Sequence, residues 1–162
     1  MYYNVDMMKG TTEPRIKKGK RKMKRTSKEF WNWYHEEKWN VPIRERSEWE
    51  HKAKMDWWNE LEVGDHAHIC HWSDVSPVTV VKITAKTITV RYDKATKNPN
   101  WKPEWEVGGF SAICTNIDEQ EWIIEEDENG RTETFRLRNV GWRNSANEKL
   151  YPEWMKYYDY NF

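Results

Sequence analysis

The chain has 162 residues, a length that favours one domain with an appendage over two full domains. With 33% charged and only 37% hydrophobic residues it would resemble a disordered chain, but 12 Trp and 8 Tyr supply the missing bulk. Each such ring buries about 150–250 Å², so a few replace many aliphatic side chains. The formal net charge of zero is a cancellation: residues 1–28 hold ten Lys or Arg against two acids, a net of +8, and residues 29–162 hold 17 against 25, a net of −8.

Residues 1–25 lack hydrophobic periodicity and contain Gly10, Pro14 and Gly19, so they are predicted to form a flexible basic arm. Lys17, Lys18, Lys20, Arg21, Lys22, Lys24 and Arg25 are its candidate contacts to RNA or DNA phosphates or to another acidic surface. Residues 26–62 form a Trp-rich helical segment. Thr26 and Glu29 carry a capping-box spacing ahead of Phe30, Trp31, Trp33 and Tyr34, and this first helix should stop before Pro42. Ser47 and Glu50 repeat the spacing, which predicts a second start. Trp49, Ala53, Trp57 and Leu61 then fall at four-residue intervals on one face, with Gly64 ending the helix.

After Gly64 the apolar period changes to two, the mark of strands, and residues 63–162 are predicted to be a β domain. Residues 66–72 alternate, and residues 78–84 and 87–92 read as a hairpin bent at Ala85 and Lys86. Residues 98–103 read as a loop, and residues 110–115 as a strand entered through a bend or bulge at Gly108 and Gly109. Residues 121–126 are expected to pair with residues 132–138 across Asp127, Glu128, Asn129 and Gly130, because Asn-Gly is a strong turn signal. The count of about five short antiparallel strands favours a small barrel or a strongly bent sheet of SH3-like size, giving an α+β fold. The C-terminus, with Trp154, Tyr157, Tyr158, Tyr160 and Phe162, is too aromatic to hang in water and should dock on the body.

Four groupings invite chemistry. His66, His68 and Cys70 share one face of a strand, and Cys114 could join them, but zinc sites favour close Cys pairs or helical His pairs, and no metal or other cofactor is expected. Ser73 and Asp74 offer parts of a nucleophile-and-base arrangement but suit a turn better, so no catalytic site is expected. Asp118, Glu119, Glu121, Glu125, Glu126, Asp127 and Glu128 crowd one segment, and their mutual repulsion suits either a solvated edge or a surface for a partner's basic groove. Trp101 and Trp105, in a loop flanked by prolines, are candidates for exposed contact with a partner or with unpaired bases. The remaining Trp of the helical segment are too many for two short helices to bury alone, so some should meet the barrel or a partner. Cys70 and Cys114 are expected to stay reduced.

A set of motifs carries a resemblance: Val63-Gly64-Asp65, Ile69-Cys70-His71-Trp72-Ser73-Asp74, Thr79-Val80-Val81, Lys86-Thr87-Ile88-Thr89-Val90, Asp93-Lys94-Ala95-Thr96 and the closing Tyr158-Asp159-Tyr160-Asn161-Phe162. On these the chain resembles a family of uncharacterised proteins from phages and prophages of Gram-positive bacteria. The resemblance covers the β body and the C-terminus, while the basic arm and the Trp-rich helices lie outside it. It implies a non-enzymatic accessory role in the host cytoplasm. Two roles are expected on that basis. One is an inhibitor of a host defence protein or nucleoprotein complex, such as a CRISPR nuclease, acting by occupying a nucleic-acid site. The other is a nucleic-acid-binding accessory of phage replication or transcription. No stretch approaches the roughly 20 apolar residues of a membrane span, and no membrane partner is expected.

Overall fold

The computed structural model describes Thr26, residues 28–138 and residues 141–161. The predicted basic arm, with Lys17, Lys18, Lys20, Arg21, Lys22, Lys24 and Arg25, lies outside the described residues.

Two helices come first. Helix α1 (Lys28–Glu37) turns Phe30, Trp31 and Tyr34 inward, the one-and-four spacing that puts side chains on one helix face. Helix α2 (Ile43–Glu60) begins four residues before the predicted start at Ser47. The reason is Pro42, whose fixed φ of −53° leaves its carbonyl placed to accept the N–H of Glu45 at 2.9 Å and of Arg46 at 3.1 Å. Along α2 the Trp49, Ala53, Trp57, Leu61 stripe faces the core, and Trp57 is completely buried. Gly64 does not end this helix, which stops at Glu60. It sits further on, at φ +93°, in the turn leading into the first strand, where its N–H donates to the Val80 carbonyl at 2.8 Å.

The fold is α+β, with the helices preceding a closed antiparallel barrel of six strands: β1 (His66–Cys70), β2 (Val75–Ile83), β3 (Thr87–Tyr92), β8 (Thr132–Arg138), β9 (Gly141–Arg143) and β10 (Lys149–Pro152). Going round, the order is β1, β10, β9, β8, β3, β2, and the ring closes where β1 pairs with both β10 and β2. Period-two alternation sends Ala67, Ile69, Val78, Val80, Ile88, Val90, Phe135 and Leu150 inside, where each is 0–1% exposed. The β2–β3 pairing slips between Val80 and Lys82, a bulge that bends the sheet toward closure.

Four more strands lie outside the barrel, so among the described residues ten strands replace the five or so expected. β4 (Lys94–Lys97) pairs with β7 (Trp122–Glu125), and β5 (Trp105–Gly108) pairs with β6 (Ser111–Cys114) around a two-residue turn of Gly109 and Phe110. The expected hairpin of residues 121–126 with residues 132–138 is not formed. Both edges of β8 are taken, one by β3 and the other by β9, which leaves β7 to pair with β4. The Asp127 to Gly130 turn is present, with the Gly130 N–H donating to the Asp127 carbonyl at 2.9 Å, but it joins two different sheets. Gly130 is pressed against the backbone of Tyr92, and a Cβ there would run into the Tyr92 carbonyl oxygen. Gly130→Ala is therefore expected to cost about 1–3 kcal/mol through backbone displacement, read as a lower urea midpoint at unchanged slope.

The C-terminal segment is tied to the body along its length. Val75 and Tyr157 exchange backbone hydrogen bonds at 2.9 and 3.2 Å, and the Asp159 N–H donates to Asp74 Oδ1 at 2.8 Å. Asn161 brackets Cys114, accepting its N–H at 2.6 Å and donating to its carbonyl at 3.2 Å.

Candidate functional site

The acidic segment is held in place by two buttresses. Asp118 and Glu119 stand on a short 3-10 turn (Ile117–Glu119), and Gln120 fixes the approach to β7. Its Oε1 accepts from Trp122 Nε1 and from the Tyr158 N–H, both at 2.8 Å, and its Nε2 donates to the Ile117 and Tyr158 carbonyls. At the far end Asp93 accepts from Thr79 Oγ1 at 2.7 Å, from Trp154 Nε1 at 2.8 Å and from the Asp127 N–H at 3.4 Å. Between these points β7 turns Trp122 and Ile124 inward and Ile123 and Glu125 outward. Asp118, Glu119, Glu121, Glu125, Glu126 and Glu128 line this segment with Asp127, whose Oδ1 accepts the Asn129 N–H at 2.9 Å. Asp127 is half-buried, and Asp118 and the five glutamates are exposed. Two of the exposed acids have partners. Glu121 accepts from Asn98 Nδ2 at 2.8 Å, and Glu126 lies 3.0 Å from His66 Nε2 and 3.5 Å from an Arg91 nitrogen.

Trp101 and Trp105 part company. Trp101 is only 7% exposed, contrary to the exposure expected of it, because Tyr160 of the docked C-terminal segment covers it at a ring separation of 5.5 Å. Trp105 stays about half exposed, and with Val107, Phe110 and Ile113 it makes the β5–β6 hairpin an apolar projection. Of the helical Trp, Trp31 and Trp57 are buried in the core, and Trp33, Trp49 and Trp58 pack partly buried against it. Trp39 is exposed beneath Lys38 and Arg46, which lie 4.9 and 5.0 Å from its ring centre.

His66, His68 and Cys70 do share the outer face of β1, as alternation with the interior Ala67 and Ile69 requires, but each has its own surroundings. His66 stacks on Trp154 at 3.9 Å while reaching Glu126. His68 is buried, and its Nδ1 donates to the Glu153 carbonyl at 3.0 Å. Cys114 belongs to β6 in a separate sheet; both cysteines are free, and burial pushes the Cys70 thiol up. Among the described residues no three His, Cys, Asp or Glu are grouped to hold a metal ion.

His68 also lines a cavity of about 330 Å³ between the helices and the barrel, with Trp31, Tyr34, Lys54, Tyr151 and Glu153 among its walls. Glu153 takes φ +83°, an unusual backbone state for a residue with a side chain, and His35 Nε2 grips its carboxylate at 3.1 Å. At one end of the barrel stands a group that sequence reading does not assemble: His71 lies 2.6 Å from Glu148 Oε1 through Nδ1 and 3.0 Å from Ser76 Oγ through Nε2. Ser73 and Asp74, by contrast, lie in the β1–β2 turn, closed by the His71 N–H donating to the Asp74 carbonyl at 2.9 Å.

No protein-family model, curated protein or solved structure matches the chain. Its functional reading therefore rests on these surfaces.

Proposed function

We propose that the chain works by contact, presenting its acidic face to a basic, phosphate-binding site of a partner protein and keeping nucleic acid out of it. The observation that supports this reading is the run from Asp118 to Glu128, whose five glutamates are exposed on a segment braced by Gln120 and Asp93. A braced array of like charges loses little conformational freedom on docking, and the field of a body with a net charge of −8 steers it toward a cationic channel. Together with the resemblance to phage proteins, this supports a host defence nuclease as the proposed partner class.

DNA cleavage by purified defence nucleases of Gram-positive hosts should fall when the full chain is added. The triple change Glu121→Lys, Glu125→Lys and Glu128→Lys should slow association by about 10-fold or more at low salt, with most of the difference vanishing at high salt. A chain that neither binds nor inhibits these nucleases would overturn the reading. Direct binding of the chain to the substrate DNA, with the nuclease itself untouched, would instead mark it as a nucleic-acid-binding accessory protein.

A further inference from the structure

Three side chains that the acidic face does not use meet at one end of the barrel. His71 directly follows β1, Ser76 is the second residue of β2 and Glu148 directly precedes β10. Ser76 pairs in register with Ile69 and shares the strand face of Val78 and Val80, so its hydroxyl stands at the barrel's rim above the apolar interior. Barrel closure alone brings Glu148 there, 77 residues on from His71.

The connectivity assigns the protons. An ionised carboxylate only accepts, so the 2.6 Å contact places a hydrogen on His71 Nδ1, and whenever the ring carries no second proton its Nε2 lone pair faces the Ser76 hydroxyl at 3.0 Å. Glu148 is itself fixed from behind: Asn144 Nδ2 donates to Oε2 at 2.6 Å, and Asn144 Oδ1 accepts the Glu148 N–H at 2.9 Å. Burial works to raise the Glu148 carboxyl, but the hydrogen bonds from His71 and Asn144, together with neighbouring positive charge including Arg131, outweigh it and hold the group below the usual carboxylate range, hence ionised. The Tyr92 ring lies nearly parallel to the imidazole, 11° apart at 6.4 Å, and the Arg131 guanidinium stands 4.2 Å from the Tyr92 ring centre. His71 and Glu148 keep 23% and 26% of their side-chain surface open, so the group is sheltered yet reachable.

We propose that Ser76, His71 and Glu148 are a nucleophile, its base and the group that orients the base, acting on carboxylic esters. Ser76 Oγ attacks the acyl carbon as its proton passes to His71 Nε2. The tetrahedral adduct collapses by breaking the acyl C–O bond, and the departing oxygen takes that proton and leaves as the alcohol. Water then attacks the acyl-serine, His71 accepts the water's proton and returns it to Ser76 Oγ, and the acid departs. The sum is ester plus water giving acid plus alcohol, with no change of oxidation state. An alcohol oxygen leaves far more readily than an amide nitrogen, so an ester asks least of a site built from a nucleophile, its base and the group that orients the base, and this is why the proposed substrate class is an ester. Glu148 acts through His71 and is a positioning residue. This site is separate from the acidic face, and neither proposal depends on the other.

The full chain, treated with an alkyl fluorophosphonate and mapped by peptide mass, is expected to carry one adduct, at Ser76, and to hydrolyse p-nitrophenyl acetate. Ser76→Ala should abolish both, and Ser73→Ala should leave both unchanged. His71→Gln should slow labelling by about 10²- to 10⁴-fold, the usual contribution of a positioned base. Glu148→Gln should lower kcat with little change in KM, and Glu148→Asp should restore part of the loss. The competing account is a purely structural clasp between the β1–β2 turn and residues 144–148. It predicts that these changes lower Tm while Ser76 reacts no faster than Ser73 in the unaltered chain. That labelling result alone would overturn the proposal, even if His71→Gln failed to fold.

Discussion

Trp57→Ala is expected to lower the unfolding free energy by about 3–5 kcal/mol, the usual cost of deleting a large buried ring. The side chain is completely buried and joins the helices to the barrel core, so its removal leaves a cavity lined from both sides. At about 2–4 °C per kcal/mol for a chain of this size, the melting temperature should fall by about 10 °C. The indole Nε1 of Trp57 has no hydrogen-bond partner, so Trp57→Phe keeps most of the volume, removes an unsatisfied donor and should cost far less. Trp72→Ala, at a residue 91% exposed, should stay within about 0.5 kcal/mol of the parent chain. Urea titrations of the three variants, monitored by far-UV circular dichroism, give the comparison. Equal losses for Trp57→Ala and Trp72→Ala would show that Trp57 does not join helices to barrel.

The second large effect is acid sensitivity through His68. Burial, reinforced by the charge of Lys54, lowers its pKa from 6.5 to about 4 and outweighs the opposing hydrogen bonds to the Glu153 and Pro152 carbonyls. Above pH 6.5 the imidazole is neutral in both folded and unfolded chains and nothing is lost. As the pH falls from 6.5 toward 4 the unfolded chain takes up a proton that the folded chain refuses, so stability drops across that window and the loss is complete below it. At 1.36 kcal/mol per unit the total is about 3 kcal/mol. His68→Gln, which cannot take up the proton, should flatten this part of the stability curve while leaving the acid response of the carboxylates in place. Identical curves for the two chains would rule out the buried imidazole as the cause.

The barrel strands are legible in the sequence because one side of each faces only apolar neighbours: Val78 and Val80, or Ile88 and Val90, repeat at the spacing of the pleat. The α2 face is legible for the same reason at a helical spacing. The outer strands are not. β4 reads Lys-Ala-Thr-Lys, with no apolar side to reveal it, and without β4 the natural partner for residues 122–125 is the next strand across a good turn. Nothing local distinguishes that pairing from the real one, since the decision is made by β3 and β9 filling both edges of β8. The burial of Trp101 escapes a local reading because its cover, Tyr160, comes from the far end of the sequence. The acidic run is visible in any reading of the chain, but its bracing depends on Gln120 and Asp93, whose partners are non-local. The Ser76, His71 and Glu148 group has no signature at all, because its third member arrives only with the last barrel strand.

That last strand also sets the order of events on the ribosome. β1 has β2 on one flank as soon as both are made, but its other flank awaits β10, and His68 and Glu153, which touch in the finished molecule, are 85 residues apart. Until then a nascent chain presents an unsatisfied strand border to its neighbours, the condition under which aggregation and domain exchange begin. Contacts of such separation form slowly, and this protein should acquire its native form only once β10 has been made, in one late step that seats that strand.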